Sequence, residues 1–191
     1  MNYREYIEES VKEINPDLRK VFNKALTEVF SQRYLMLITN KLKDYLIIKE
    51  VDYENENVVA YNVGTKIFIN RSQFWKYDEK KQVRYLLHEF IHILQRKRGF
   101  VFSKFPEIRK LSKKLYVIVE KHSSQPVSVF LTGKNQDLGP GRKWEVLSYF
   151  MNNSIDWRAI SEQGKALLVS EIKNSGIFNT STAFWKRRLP Y

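Results

Sequence analysis

Apolar residues recur along this chain first at helical, then at strand, then again at helical spacing. Tyr3, Tyr6, Ile7, Val11 and Ile14 line one side of a helix expected over residues 3–14. Pro16-Asp17 restarts the chain, and Val21, Phe22, Ala25, Leu26, Val29 and Phe30 predict a second helix from about 17 to 31. Residues 32–43 are less decided and are read as a continuation of helix. Three strands are expected next, at 45–51, 57–63 and 65–70, separated by an acidic turn at 52–56 and by Gly64. Together they suggest a small antiparallel sheet or meander.

A helix with clear ends follows. Asp78 is its expected N-cap, and Glu79 suits the first turn. Val83, Leu87, Phe90 and Leu94 form one apolar stripe, flanked by Leu86 and Ile91. Arg96, Lys97 and Arg98 fill the last turn, and Gly99 stands where a left-handed C-cap belongs. Downstream, Pro106 opens a helix to about 121. Residues 127–131 read as a strand and 132–141 as a glycine-rich loop. Helices are expected at about 142–153 and 158–173. The tail ends in Phe184-Trp185 and Leu189-Pro190-Tyr191, and such apolar termini dock on the protein or on a partner.

This order gives an α+β fold: a small, mainly antiparallel sheet, a central helix and several further helices. A length of 191 residues suits a single domain. Its core is placed at about 44–153, with N-terminal helices in 1–43 and a C-terminal helix and tail in 154–191. An apolar share of 43% is enough for a packed core and excludes a disordered chain. The absence of cysteine excludes disulfides, thiolate zinc sites and a cysteine nucleophile. The N-terminus does not read as a signal peptide, and no apolar run is long enough for a membrane span. A soluble protein with no membrane partner is expected.

The net charge of +12 is uneven. Residues 1–95 carry 15 Lys/Arg against 14 Asp/Glu, whereas 96–144 carry 12 against 3. That basic region suits an anionic partner, whether nucleic acid, acidic polypeptide or anionic surface, or else is a solvated face. For nucleic acid, no helix-turn-helix, zinc-finger or stacking motif accompanies it.

The central helix also carries the chemistry. His88-Glu89-Phe90-Ile91-His92 spells H-E-x-x-H. Imidazoles at i and i+4 leave one helix face together, so both can bind one metal ion, and the Glu between them can reach its water. A catalytic zinc site needs a third protein ligand. The one other histidine, His122, ends a basic helix, where the dipole favours it without any metal. Of the carboxylates downstream (Glu107, Glu120, Asp137, Glu145, Asp156, Glu162 and Glu171), Glu145 stands out. It is an acid among Trp144, Leu147, Tyr149 and Phe150, costly to bury unless something binds it. Its alternative role is to satisfy the dipole of a first helical turn.

His88-Glu89-Phe90-Ile91-His92 with a helical Glu145 downstream resembles the gluzincin type of zincin metallopeptidase. Gln95 and the Glu145–Tyr149 string are similar to small metallopeptidase-like proteins of tailed bacteriophages, over roughly residues 65–153. The resemblance implies a zincin-like fold, with zinc held by His88, His92 and Glu145. Glu89 is then the general base toward a zinc-activated water, in the hydrolysis of a polypeptide substrate. Tyr149, one turn beyond Glu145, is the candidate oxyanion helper. The strand at 65–70 is either an edge for an extended peptide or an ordinary sheet strand. The alternative is a structural or assembly protein of a virus particle that keeps the zincin fold, contacting other virion proteins through its basic middle and aromatic tail. Cytoplasmic or virion-associated localisation fits either.

Overall fold

The computed structural model describes residues 12–42, 47–53, 55, 57–95, 105–132, 142–152 and 154–190. The architecture is α+β, with a mixed sheet in the order β1-β2-β4-β3. Its strands are β1 (Lys12–Glu13), β2 (Ile47–Val51), β3 (Ala60–Val63) and β4 (Lys66–Asn70). The helices are α1 (Pro16–Val29), α2 (Gln32–Leu42), α3 (Arg71–Phe74), α4 (Glu79–Gln95), α5 (Pro106–His122), α6 (Val127–Thr132), α7 (Arg142–Asn152), α8 (Glu162–Asn174) and α9 (Ala183–Lys186). None is long and apolar enough to cross a membrane.

The sheet is not a meander. β3 and β4 form an antiparallel hairpin around Gly64, whose φ of 62° suits glycine. β2, however, pairs with β4 in parallel, on the side away from β3. The 65–70 strand is therefore interior rather than an edge. Ile67, Phe68, Ile69 and Asn70 are all buried, as expected of a strand covered on both faces. Asn70 is fully buried and donates to the carbonyls of Tyr53, Asn55 and Val58, pinning the connection between β2 and β3.

Three helical or strand expectations are corrected. Lys12–Glu13 is extended, not helical, and pairs antiparallel with β2. Ile14 continues this strand by donating its N–H to the Ile48 carbonyl, so the register with the sheet overrides the helical spacing. Residues 127–131 lie in α6, not a strand. The turn opens at Pro126, whose carbonyl accepts from Phe130 N, and Phe130 and Leu131 are buried in the core. Burial there outweighs the β-preference of two valines. The helix expected over 158–173 breaks at Ile160, which bridges to Ser123. A 3-10 turn (Trp157–Ala159) precedes it, and Ser161 caps α8. Residues 3–11 and the cap at Gly99 lie outside the described residues.

α4 is the axis of the molecule. It packs against α1, β3, β4, α5 and α7. Lys81 N donates to Asp78 Oδ1 at 2.7 Å, as the capping pattern requires. The stripe Val83, Leu87, Phe90 and Leu94 is buried, and Leu86, Ile91 and Ile93 are buried too. Phe90 meets Phe22 of α1 and Phe30 edge-on. The aromatic tail docks on its own chain: Trp185 is buried and donates its indole N–H to Val29 O at 2.9 Å. Phe184 and Leu189 are buried beside it. These three side chains are thus committed to the core rather than to a partner.

Candidate metal centre

α4 and α7 cross so that His88 and His92 face Glu145. The two imidazole Nε2 atoms stand 3.1 Å apart. Glu145 Oε2 lies 3.6 Å from Nε2 of His88 and 3.4 Å from Nε2 of His92. One ligand atom from each residue can be chosen so that all three fall within 4.8 Å of one another. This compactness follows from the sequence: i and i+4 positions share a helix face, and α7 presents its first turn to that face.

The far side of each ring is tethered. His92 Nδ1 lies 2.9 Å from Gln95 Oε1. Gln95 Nε2 donates to Trp144 O at 2.8 Å and to Ser112 Oγ at 2.9 Å. A carbonyl can only accept, so this fixes which end of the amide faces the imidazole. His92 therefore keeps a proton on Nδ1, and Nε2 is the atom that faces Glu145 and His88. On His88, Nδ1 is 3.0 Å from the Asn152 amide, and the Ser148 backbone also hydrogen-bonds the ring. Asn152 Oδ1 is buried without a partner. Half a turn of this amide brings that oxygen to Nδ1, where it accepts the ring proton and frees Nε2 as a ligand. Two imidazoles that can each turn Nε2 inward as a neutral ligand, with one carboxylate, are a donor set that suits zinc.

The electrostatics agree. Burial, reinforced by His92 and opposed by Glu145, pulls His88 down to about 3, so its ring is neutral. Burial also opposes a charge on His92, but the hydrogen bond and charge of Glu145 prevail and raise it. Burial would raise Glu145, yet His92 and His88 hold it below the usual carboxylate range. Without a metal, His92 and Glu145 thus form a half-buried ion pair whose proton a cation would replace.

Glu89, between the histidines, accepts a hydrogen bond from Asn62 of β3 at 2.5 Å. The Tyr149 ring stands edge-on to His88, 5.1 Å between centroids. Burial, with Glu145 and Glu89 nearby, raises its pKa and keeps the hydroxyl protonated. A cavity of about 820 Å³ opens beside Tyr149 and Asn152, walled by Tyr85, Phe130 and Trp157.

The structure thus gathers His88, Glu89, His92, Glu145 and Tyr149 in one place. His122 is elsewhere: its Nδ1 faces Ser161 Oγ at 3.3 Å, under the close approach of Gly164. Asp156 caps the 3-10 turn, and Glu171 pairs with Lys114. Asp137 lies outside the described residues. The residue pattern did not single out Asn62, Ser148 or Asn152; Gln95 entered only through the resemblance. The chain matches no protein-family model, no curated protein and no solved structure.

Proposed function

We propose that this protein is a zinc-dependent metallopeptidase with a zincin-like fold. The observation that carries the reading is the convergence of His88, His92 and Glu145 on one point, with Glu89 on the same helix. His88 and His92 contribute Nε2 and Glu145 a carboxylate oxygen. Zinc, when bound, supplies the Lewis acidity that activates water and polarises a carbonyl.

The chain's own groups do the rest. Glu89, positioned by Asn62, takes a proton from the attacking water and delivers it to the departing amine. Tyr149, kept protonated, donates its O–H to the oxygen on which negative charge develops. The cavity beside Tyr149 accommodates substrate next to the reacting bond.

The test is zinc content and hydrolysis of an unstructured protein substrate, in wild type and in Glu89→Gln and Glu145→Ala. Stoichiometric zinc, chelator-sensitive cleavage, and a Glu89→Gln protein that keeps zinc but cleaves nothing are expected. Unchanged zinc in Glu145→Ala removes Glu145 from the ligand set. Full activity in Glu89→Gln removes the base.

A further inference from the structure

Next to the metal ligand Glu145, Trp144 is ringed by cations. Arg109 Cζ lies 5.5 Å from its ring centroid, Lys113 Nζ 5.9 Å and Lys143 Nζ 5.4 Å. Arg109 and Lys113 are one turn apart on α5, an i, i+4 repulsion, and Lys110 is exposed on the same helix. Among the described residues no carboxylate pairs with Arg109, Lys110, Lys113 or Lys143. The ion pairs of this region go instead to Lys114 with Glu171 and to Lys165 with Glu162. Arg109 Nε is buried without a hydrogen-bond partner. Like charges are thus gathered on a half-buried ring with no ion-pair partner among the described residues.

The platform is tied to the site. The Trp144 carbonyl accepts from Gln95, the residue that holds His92. A ligand held on the Trp144 cations therefore sits one residue from Glu145, on a helix linked to His92 through Gln95.

We propose that this cluster is an anion-recognition subsite that selects acidic polypeptides, delivering carboxylate side chains near the metal centre. The inference rests on the metallopeptidase reading and names its substrate class. Carboxylates spaced along an extended chain suit cations spread around one ring. Single-stranded nucleic acid fits less well. Its bases need an open aromatic face on which to stack, and cations already lie over this one.

The experiment measures anisotropy of a labelled oligoglutamate peptide with the full chain, against labelled oligothymidylate and at rising salt. Lys113→Glu/Lys143→Glu is compared with Lys20→Glu/Lys24→Glu, which carries the same net charge on the exposed face of α1. Expected is oligoglutamate binding that salt weakens. It should fall roughly tenfold in the first double variant and hold in the second. Glu89→Gln and chelator-treated protein should bind as wild type does, which separates this subsite from the catalytic reading. Thermal melts of Lys113→Glu/Lys143→Glu should match or exceed wild type, because repulsion is relieved. Equal losses in both double variants, no binding by wild type, or tighter oligothymidylate binding lost on reversal of Lys113 and Lys143 would each overturn the proposal.

Discussion

Gln95 Oε1 lies 2.9 Å from His92 Nδ1, and the other end of the amide is committed to Trp144 O and Ser112 Oγ. One buried side chain therefore orients His92, a proposed metal ligand, and ties down the helix that carries Glu145. Gln95→Leu keeps the volume and removes all three bonds. Zinc affinity should fall by about 10- to 100-fold, the usual cost of losing a partner behind a ligating histidine. Competition against a chromophoric chelator measures it, and unaltered affinity would show that His92 needs no such partner.

Asn152 makes the complementary case on His88. Its amide must present oxygen to Nδ1 for Nε2 to bind metal, and that oxygen is at present without a partner. Asn152→Asp offers an acceptor at either terminal atom and should hold zinc at least as tightly as wild type. Asn152→Leu should lose affinity about as much as Gln95→Leu. Equal affinities in the two Asn152 variants would count against a role for this side chain.

The contrast between these residues shows what could be read from the chain. His88 and His92 were legible because four-residue spacing on a capped helix fixes their common face. Glu145 was legible as an acid on an otherwise apolar helix. Asn152 sits 64 positions from His88, and Asn62 sits 27 from Glu89. Neither has a local pattern, because only the crossing of α7 and β3 over α4 gives them a partner. The sheet shows the same limit. The strands were visible in their spacing, but β2 joining β4 rather than β3 depends on burial of both faces of Ile67–Ile69. Val127–Thr132 misled because Val127, Val129 and Phe130 favour strand locally, while the core requires a turn of helix to bury Phe130 and Leu131.

The site also sets a pH profile for the metal-free protein. Burial, with His92, holds folded His88 at about 3, against an ordinary value of 6.5. Between these values the unfolded chain binds a proton that the folded one refuses. Stability from this group is full above 6.5 and falls by roughly 1.4 kcal/mol per pH unit below it. His92 has the opposite sign. Burial opposes its charge but Glu145 prevails, so its folded value is raised. Its contribution is complete below 6.5 and is lost as pH rises from there through the raised folded value. Glu145, held down by His92 and His88 against burial, keeps its contribution until pH drops below about 4.5. Urea unfolding in chelator should show maximal stability near pH 6.5. His88→Ala should flatten the acid limb, and a profile indifferent to that substitution would contradict the neutral His88 ring.

Arg188 ties the tail to α7, the helix of Glu145. It is 5% exposed, and its guanidinium donates to Phe150 O and Met151 O, each at 3.1 Å, and to Phe184 O at 2.8 Å. Phe150 and Met151 are among the last residues of α7, whose carbonyls have no partner within the helix and carry its negative dipole end. Burial, with Arg84 and Arg187 nearby, lowers Arg188 to about 9, which leaves it charged at neutral pH. Arg188→Met fills the space but orphans those carbonyls, and should cost about 2–4 kcal/mol in urea unfolding. Arg188→Lys should recover little, since an ammonium cannot reproduce the planar fork. Because α7 carries both Glu145 and Asn152, zinc affinity should fall in step with stability. A stable Arg188→Met protein with wild-type zinc affinity would show that the α7 terminus is held by packing alone.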